Sequence, residues 1–127
     1  MSKHDKNPYA ALERVYHEPS RLAIMSALAA AESGKTFNEL KQECELTDGN
    51  LSRHLKALEE IRAVKIKKTF VGAKPRTTVF LTEPGRESFL EYLKTLEEVL
   101  RKAAEAMESG GEKRSLSGMM RKRAATA

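Results

Sequence analysis

Leu46-Thr47-Asp48-Gly49-Asn50-Leu51-Ser52-Arg53-His54-Leu55-Lys56-Ala57-Leu58-Glu59-Glu60 is the stretch on which the fold turns. Thr47 is a preferred helix N-cap, because its hydroxyl can accept an amide hydrogen that the first turn leaves unpaired. Leu46 just before it and Leu51 at the fourth helical position can pack as a hydrophobic staple. Leu51, Leu55 and Leu58 then recur at the spacing of an amphipathic helix. At about 100° per residue, the opposite side carries Gly49, Arg53, Lys56 and Glu60, flanked by Asn50, Ser52 and Ala57. The spacing predicts a helix over 48–60 that buries its leucines and shows water a polar face. His54 lies about 60° from the middle of the leucine stripe, the place of a boundary packing residue rather than a ligand.

Just upstream, Thr36-Phe-Asn-Glu39 matches a capping box, in which hydroxyl and carboxylate each satisfy the other residue's amide. Phe37, Leu40 and Cys44 of the short helix it opens face inward, so Cys44 reads as a core thiol. Further back, Pro19 suits the first turn of a helix that runs through Arg21 to Ala31. Its stripe of Leu22, Met25, Leu28 and Ala29, with Ile24 and Ala27 beside it, predicts burial on more than one side. Gly34 fits a stop signal. Residues 8–17 form a shorter helix with Tyr9, Leu12 and Tyr16 on one face. Residues 1–7 read as a flexible N-terminus.

Downstream the period changes. Val64, Ile66 and Phe70 alternate with Lys65, Lys67 and Thr69, a strand pattern that Lys68 interrupts. Gly72-Ala-Lys-Pro75 reads as a turn and Arg76-Thr-Thr-Val-Phe-Leu81 as the return strand. An isolated two-stranded hairpin is marginal, so this one must lean on the helices. Thr82 can cap a last helix over 83–108, with Pro84 in its first turn. In it Phe89, Leu93, Leu96, Leu100, Ala103 and Met107 follow an a/d repeat. Gly110-Gly111 ends the helix, and 109–127 reads as a disordered basic tail. The fold class is therefore mainly α with a small β-hairpin, a single domain over 8–108 within the chain of 127 residues.

The net charge is +5, and its distribution says more than its size. Between Ile61 and Thr82, Arg62, Lys65, Lys67, Lys68, Lys74 and Arg76 stand with no acid among them, whereas glutamates dominate from Glu87 to Glu108. Such segregation either answers an anionic partner or merely solvates a sheet edge and a loose tail.

The element order favours the first. A short helix, a tight turn and a second helix leave one polar face outward, the face that helix-turn-helix proteins lay in the major groove. Only there do all four base pairs look different. Arg53 can bond a guanine edge with two donors, and Asn50 an adenine in the same way. Ser52 and Lys56 can reach bases or phosphates, and Gly49 lets the backbone approach closely. Lys65, Lys67, Lys68, Lys74 and Arg76 of the hairpin would lie on the DNA backbone or in the minor groove, adding salt-dependent affinity. Thr36, Asp48 and Thr77 complete the candidate DNA-binding set.

Phe37-Asn-Glu-Leu-Lys41, the stretch Leu46–Glu60, and Arg76-Thr-Thr-Val-Phe-Leu-Thr-Glu-Pro-Gly85 together resemble the winged-helix transcriptional regulators related to the MarR and ArsR families. The likeness is to the small single-domain, MarR-like members and covers residues 8–100. It implies a winged helix-turn-helix with a long C-terminal dimerisation helix, a homodimer, sequence-specific operator binding, and repression more often than activation. It also maps a recognition helix onto 48–60 and a wing onto about 68–77, within the basic wing that we expect over 65–78. One position departs: Arg62 stands where such proteins carry glycine after the recognition helix, so either the helix runs further or the turn differs. The paired-cysteine signature of the metal-sensing members is absent, so metal sensing does not carry over.

The a/d seam of the last helix either pairs with a second subunit or folds onto its own domain. We expect a dimer through Phe89, Leu93, Leu96, Leu100 and Ala103, joined by Tyr9, Leu12 and Tyr16. No nucleophile–base pair, phosphate loop or carboxylate cluster points to an enzyme. His4 and His17 lack partners at metal-ligand spacing, so neither metal nor other cofactor is expected. The rival to DNA binding is a winged-helix protein-interaction module. The apolar runs are too short to span a bilayer and the N-terminus lacks a secretory segment, which predicts a cytoplasmic protein.

Overall fold

Each helix starts on the cap its sequence offers. In the computed structural model, which describes residues 13–110, a helical segment over 13–16 leads into α1 (Pro19–Ala29). The Glu18 carboxylate caps α1 by accepting from the Arg21 amide at 2.8 Å. The helix stops at Ala29, two residues short of the expected Ala31, and Gly34 serves a different purpose. It takes a φ of 83° at the entry to the sheet, where a side chain would strike the Val79 carbonyl and the Phe80 ring. In α2 (Phe37–Glu43) both bonds of the capping box form, at 3.1 and 2.9 Å. In α3 (Asp48–Glu60) the Thr47 hydroxyl accepts from the Asn50 amide.

Helices α2 and α3 end in the same way. Beyond α2, Glu45 has a φ of 54°, and beyond α3 Arg62 has a φ of 63°. The paired backbone bonds are Glu45 to Gln42 with Leu46 to Lys41, then Arg62 to Glu59 with Ala63 to Leu58. Each set is a Schellman motif, whose left-handed residue is usually glycine. Arg62 therefore keeps the tight turn without glycine, at a cost on the order of 1 kcal/mol.

The sheet has three strands rather than the expected two. β1 (Lys35–Thr36), β2 (Val64–Val71) and β3 (Lys74–Leu81) lie in the order β1-β3-β2, all antiparallel. Gly72 and Ala73 make the turn, with φ positive at Gly72 alone, as a type II′ hairpin requires. Pro75, expected in the turn, belongs to β3 opposite Phe70. The pair closing a two-residue turn is hydrogen-bonded and the next is not, so the missing Pro75 N–H costs the ladder nothing.

Helix α4 (Glu83–Glu108) is seated by Thr82. The Thr82 hydroxyl donates to the Arg62 carbonyl at 2.6 Å and accepts from the Gly85 amide at 2.9 Å, while the Thr82 amide donates to Ala63. Gly85 lies so close to the Ala63 carbonyl that any Cβ there would collide with it.

The core of the unit ending at Tyr92 is built from Tyr16, Ile24, Met25, Leu28, Leu40, Leu51, Leu58 and Val79, all fully buried. Two residues expected on the dimer seam belong to this core instead. Tyr16 is wholly buried and Phe89 is 3% exposed, their rings edge to face at 5.2 Å. The Tyr16 hydroxyl bonds Ser88 Oγ at 2.6 Å, and Tyr92 joins both rings and bonds the His17 imidazole at 2.7 Å. These aromatic contacts, which α4 makes within its own chain, account for the difference. In the unit that begins at Leu93, Leu93, Leu100 and Ala103 are exposed and Leu96 half-buried. Tyr9 and Leu12, like residues 1–7 and 111–127, lie outside the described residues.

Candidate nucleic-acid interface

Burial of Leu51, Leu55 and Leu58 turns the rest of α3 outward, leaving Gly49, Asn50, Ser52, Arg53 and Lys56 exposed. Nothing lies within 4 Å of where a Gly49 side chain would start, so the backbone is open to a ligand there. Arg53 Nη2 donates to Asn50 Oδ1 at 3.2 Å, so the two expected base readers are held side by side. Asp48 is tied instead to Lys41 Nζ at 2.9 Å, beside the helix N-terminus where an acid is favoured. Its charge is thereby offset rather than directed at a ligand.

The helix is anchored from beneath. His54 is buried and its Nδ1 accepts from Arg21 Nη1 at 3.2 Å. Arg21 Nε in turn donates to the Val15 carbonyl at 2.7 Å. Burial lowers the His54 pKa, which keeps the ring neutral with Nδ1 as the acceptor. This places His54 as the packing residue that the helical spacing predicts. The thiol of Cys44, half-buried at the C-cap of α2, is pushed up by burial and is poorly suited to react as a thiolate.

The wing is the β2–β3 hairpin. Its register puts Lys65, Lys67, Arg76 and Lys74 on one face and Lys68 on the other, beside Ile66, Phe70, Pro75 and Thr77. That second face looks to α3. Ser52, Leu55, Lys56 and Glu59 of the helix, with Ile66, Lys68 and Thr77 of the wing and Phe37, line a cleft of about 430 Å³. A neighbouring cavity of about 340 Å³ lies between Thr36, Phe37 and Asn38 of the short helix and Pro75, Arg76 and Thr77. The structure thus brings Ser52, Lys56, Lys68 and Thr77 together around one cleft, and Thr36, Arg76 and Thr77 around the next. The Thr36 hydroxyl itself is committed to its cap.

Sequence reasoning missed two groups here. Asn38 reaches the interface from the outward face of α2, a position that the capping box, once placed, already defines. Phe70 does lie on the side of Val64 and Ile66, as the alternation predicts, but it is 70% exposed, and Val71 on the other face is 52% exposed. The alternation continues past the point where the domain ends, so nothing remains for these side chains to pack on. Among the described residues, no cluster of His, Cys, Asp or Glu could hold a metal ion, and no helix is long and apolar enough to cross a membrane.

Known proteins share this arrangement. A solved transcriptional regulator homologue from Pyrococcus horikoshii OT3 is 31% identical, with a TM-score of 0.66 over 71% of this chain and 88% of that one. An uncharacterized protein of Methanocaldococcus jannaschii is 36% identical over 80 residues, 63% of this chain and 86% of that one. The Staphylococcus aureus regulator MepR, in its complex with DNA, matches 83% of this chain and 89% of its own at 17% identity and a TM-score of 0.56, a likeness of fold alone. The MarR-like resemblance carried by the sequence motifs is met in the fold, and the relatives with assigned roles are regulators rather than enzymes. The model of the winged helix DNA-binding domain matches residues 20–100, and the chain belongs to that family.

Proposed function

We propose that this chain is a sequence-specific, DNA-binding transcriptional regulator that acts as a homodimeric repressor. Recognition helix α3 enters the major groove, where Arg53 and Asn50 read base edges and Ser52 and Lys56 reach bases or phosphates. Lys67, Lys68, Lys74 and Arg76 of the wing hold the flanking backbone or minor groove. A second copy pairs through Leu93, Leu96, Leu100 and Ala103 and offers a second α3 to a palindromic site. Repression follows if that site overlaps a promoter.

The observation that carries this proposal is the cleft where the exposed face of α3 meets a wing with no acidic residue. Lys56 and Lys68 line that cleft and Arg76 the next one, and a phosphate backbone needs several cations together, since each alone contributes little in water. Fluorescence anisotropy with random-sequence duplex DNA at two salt concentrations tests it. Affinity should fall steeply at the higher salt, and binding indifferent to salt would instead favour a protein-interaction module. On a duplex selected by the protein from random sequence, Arg53→Ala should cost about 1–3 kcal/mol and far less on random DNA. Equal losses on both would reduce Arg53 to a phosphate contact.

A further inference from the structure

The wing tip is apolar where a purely electrostatic grip needs no apolar group. Phe70 and Val71 stand at the end of a hairpin closed by a tight two-residue turn, and Phe70 sits opposite Pro75. Phe70 shares its sheet face with Lys68 and Thr77, the residues that line the cleft against α3. Lys68 stands on the same face of the hairpin and Lys67, Lys74 and Arg76 on the other, and no acid occurs between Ile61 and Thr82. A partner must therefore offer anionic rims around an apolar interior, and the continuity of this face with α3 makes that partner the duplex α3 reads.

We infer that Phe70, supported by Pro75 and Val71, is a wedge that enters the minor groove beside the α3 site and partly unstacks one base step. This inference rests on the DNA-binding proposal. Apolar side chains inserted in this way kink the duplex toward the major groove. Pyrimidine–purine steps open most easily, so the wedge selects for them in the flank without a hydrogen bond to any base.

The test uses a duplex selected by the full chain from random sequence, end-labelled for energy transfer and carrying 2-aminopurine in the flank. The wild type should bend the duplex and raise 2-aminopurine fluorescence several-fold. Phe70→Ser, a change at an exposed position, should lose both signals while affinity falls about threefold to tenfold and stays salt-dependent. Phe70→Leu, still an apolar wedge, should keep the bend. A Phe70→Ser protein that bends and unstacks like the wild type overturns the wedge and leaves the DNA-binding proposal standing. A wild type that binds no duplex overturns both. Loss of self-association, or of binding to phosphatidylserine vesicles, with the bend unchanged would assign the tip to another partner and overturn the wedge.

Discussion

One helix, α4, meets two environments. Up to Tyr92 it buries Gly85, Phe89 and Tyr92, whereas Leu93, Val99, Leu100 and Met107 stay exposed along the rest. Phe89 keeps 3% of its surface accessible and Leu100 keeps 60%, although the a/d repeat runs through both. A repeat specifies which side of a helix is apolar but says nothing about what covers it. Phe89 is covered because Tyr16, far earlier in the chain, reaches it. The exposed half is the part our proposal gives to a second copy.

The largest effect should come from the buried half. Phe89→Ala should destabilise the domain by about 3–5 kcal/mol in chemical denaturation, because it empties a fully packed site. A loss under about 1 kcal/mol would erase the contrast. In the exposed half, Leu96→Glu should weaken self-association by about 3 kcal/mol, roughly 100-fold, while far-UV circular dichroism stays unchanged. A protein that remains dimeric by light scattering would show that the seam lies elsewhere.

Tyr16→Phe should cost only about 1 kcal/mol, because Ser88 keeps a bond to the Gly85 carbonyl at 3.3 Å. It also carries a pH signature. Burial raises the Tyr16 and Tyr92 pKa values above the ordinary 10.0, so the unfolded chain releases those protons first. The stability they contribute is complete below about pH 10 and declines as pH rises through the folded-state values. Replacing Tyr16 with phenylalanine should make that alkaline decline shallower. An unchanged profile would remove Tyr16 from the buried set. Smallest of all, Arg62→Gly should stabilise the domain by about 0.5–1 kcal/mol by relieving the left-handed residue under the seat of α4. No gain in melting temperature would mean that the turn carries no strain.

What the sequence discloses depends on the range of the interaction. The Thr36 and Thr47 caps, the leucine stripe of α3 and the outward placement of Gly49, Asn50, Ser52, Arg53 and Lys56 are local, and all were legible. β1 was not, since two residues show no periodicity and their partners, Thr78 and Val79, lie in the second half of the chain. Arg62 could be identified as an anomaly, but neither expected outcome occurs: the helix stops at Glu60 and Arg62 itself takes the left-handed turn, which only the Schellman bonds reveal. Phe70 takes the face that the alternation assigns it, with Val64 and Ile66, but alternation does not say where the domain stops, so its exposure was not legible. Within the candidate site the basic residues could be listed. Their grouping into clefts needed the hairpin register, which places Lys68 toward α3 and Lys65 and Lys67 away from it.

Pro75 has a consequence for how the protein behaves in concentrated solution. A hairpin that outruns its domain exposes a strand edge, and exposed edges with apolar tips seed fibrils and misassembled oligomers. Pro75 sits on β3 beyond the reach of β1, with its nitrogen turned to the open edge, so a stray strand finds no donor there. Lys74 and Arg76 on either side repel another wing of the same charge. The chain can therefore carry an uncovered phenylalanine at the end of a long β-ribbon with its tendency to aggregate held in check.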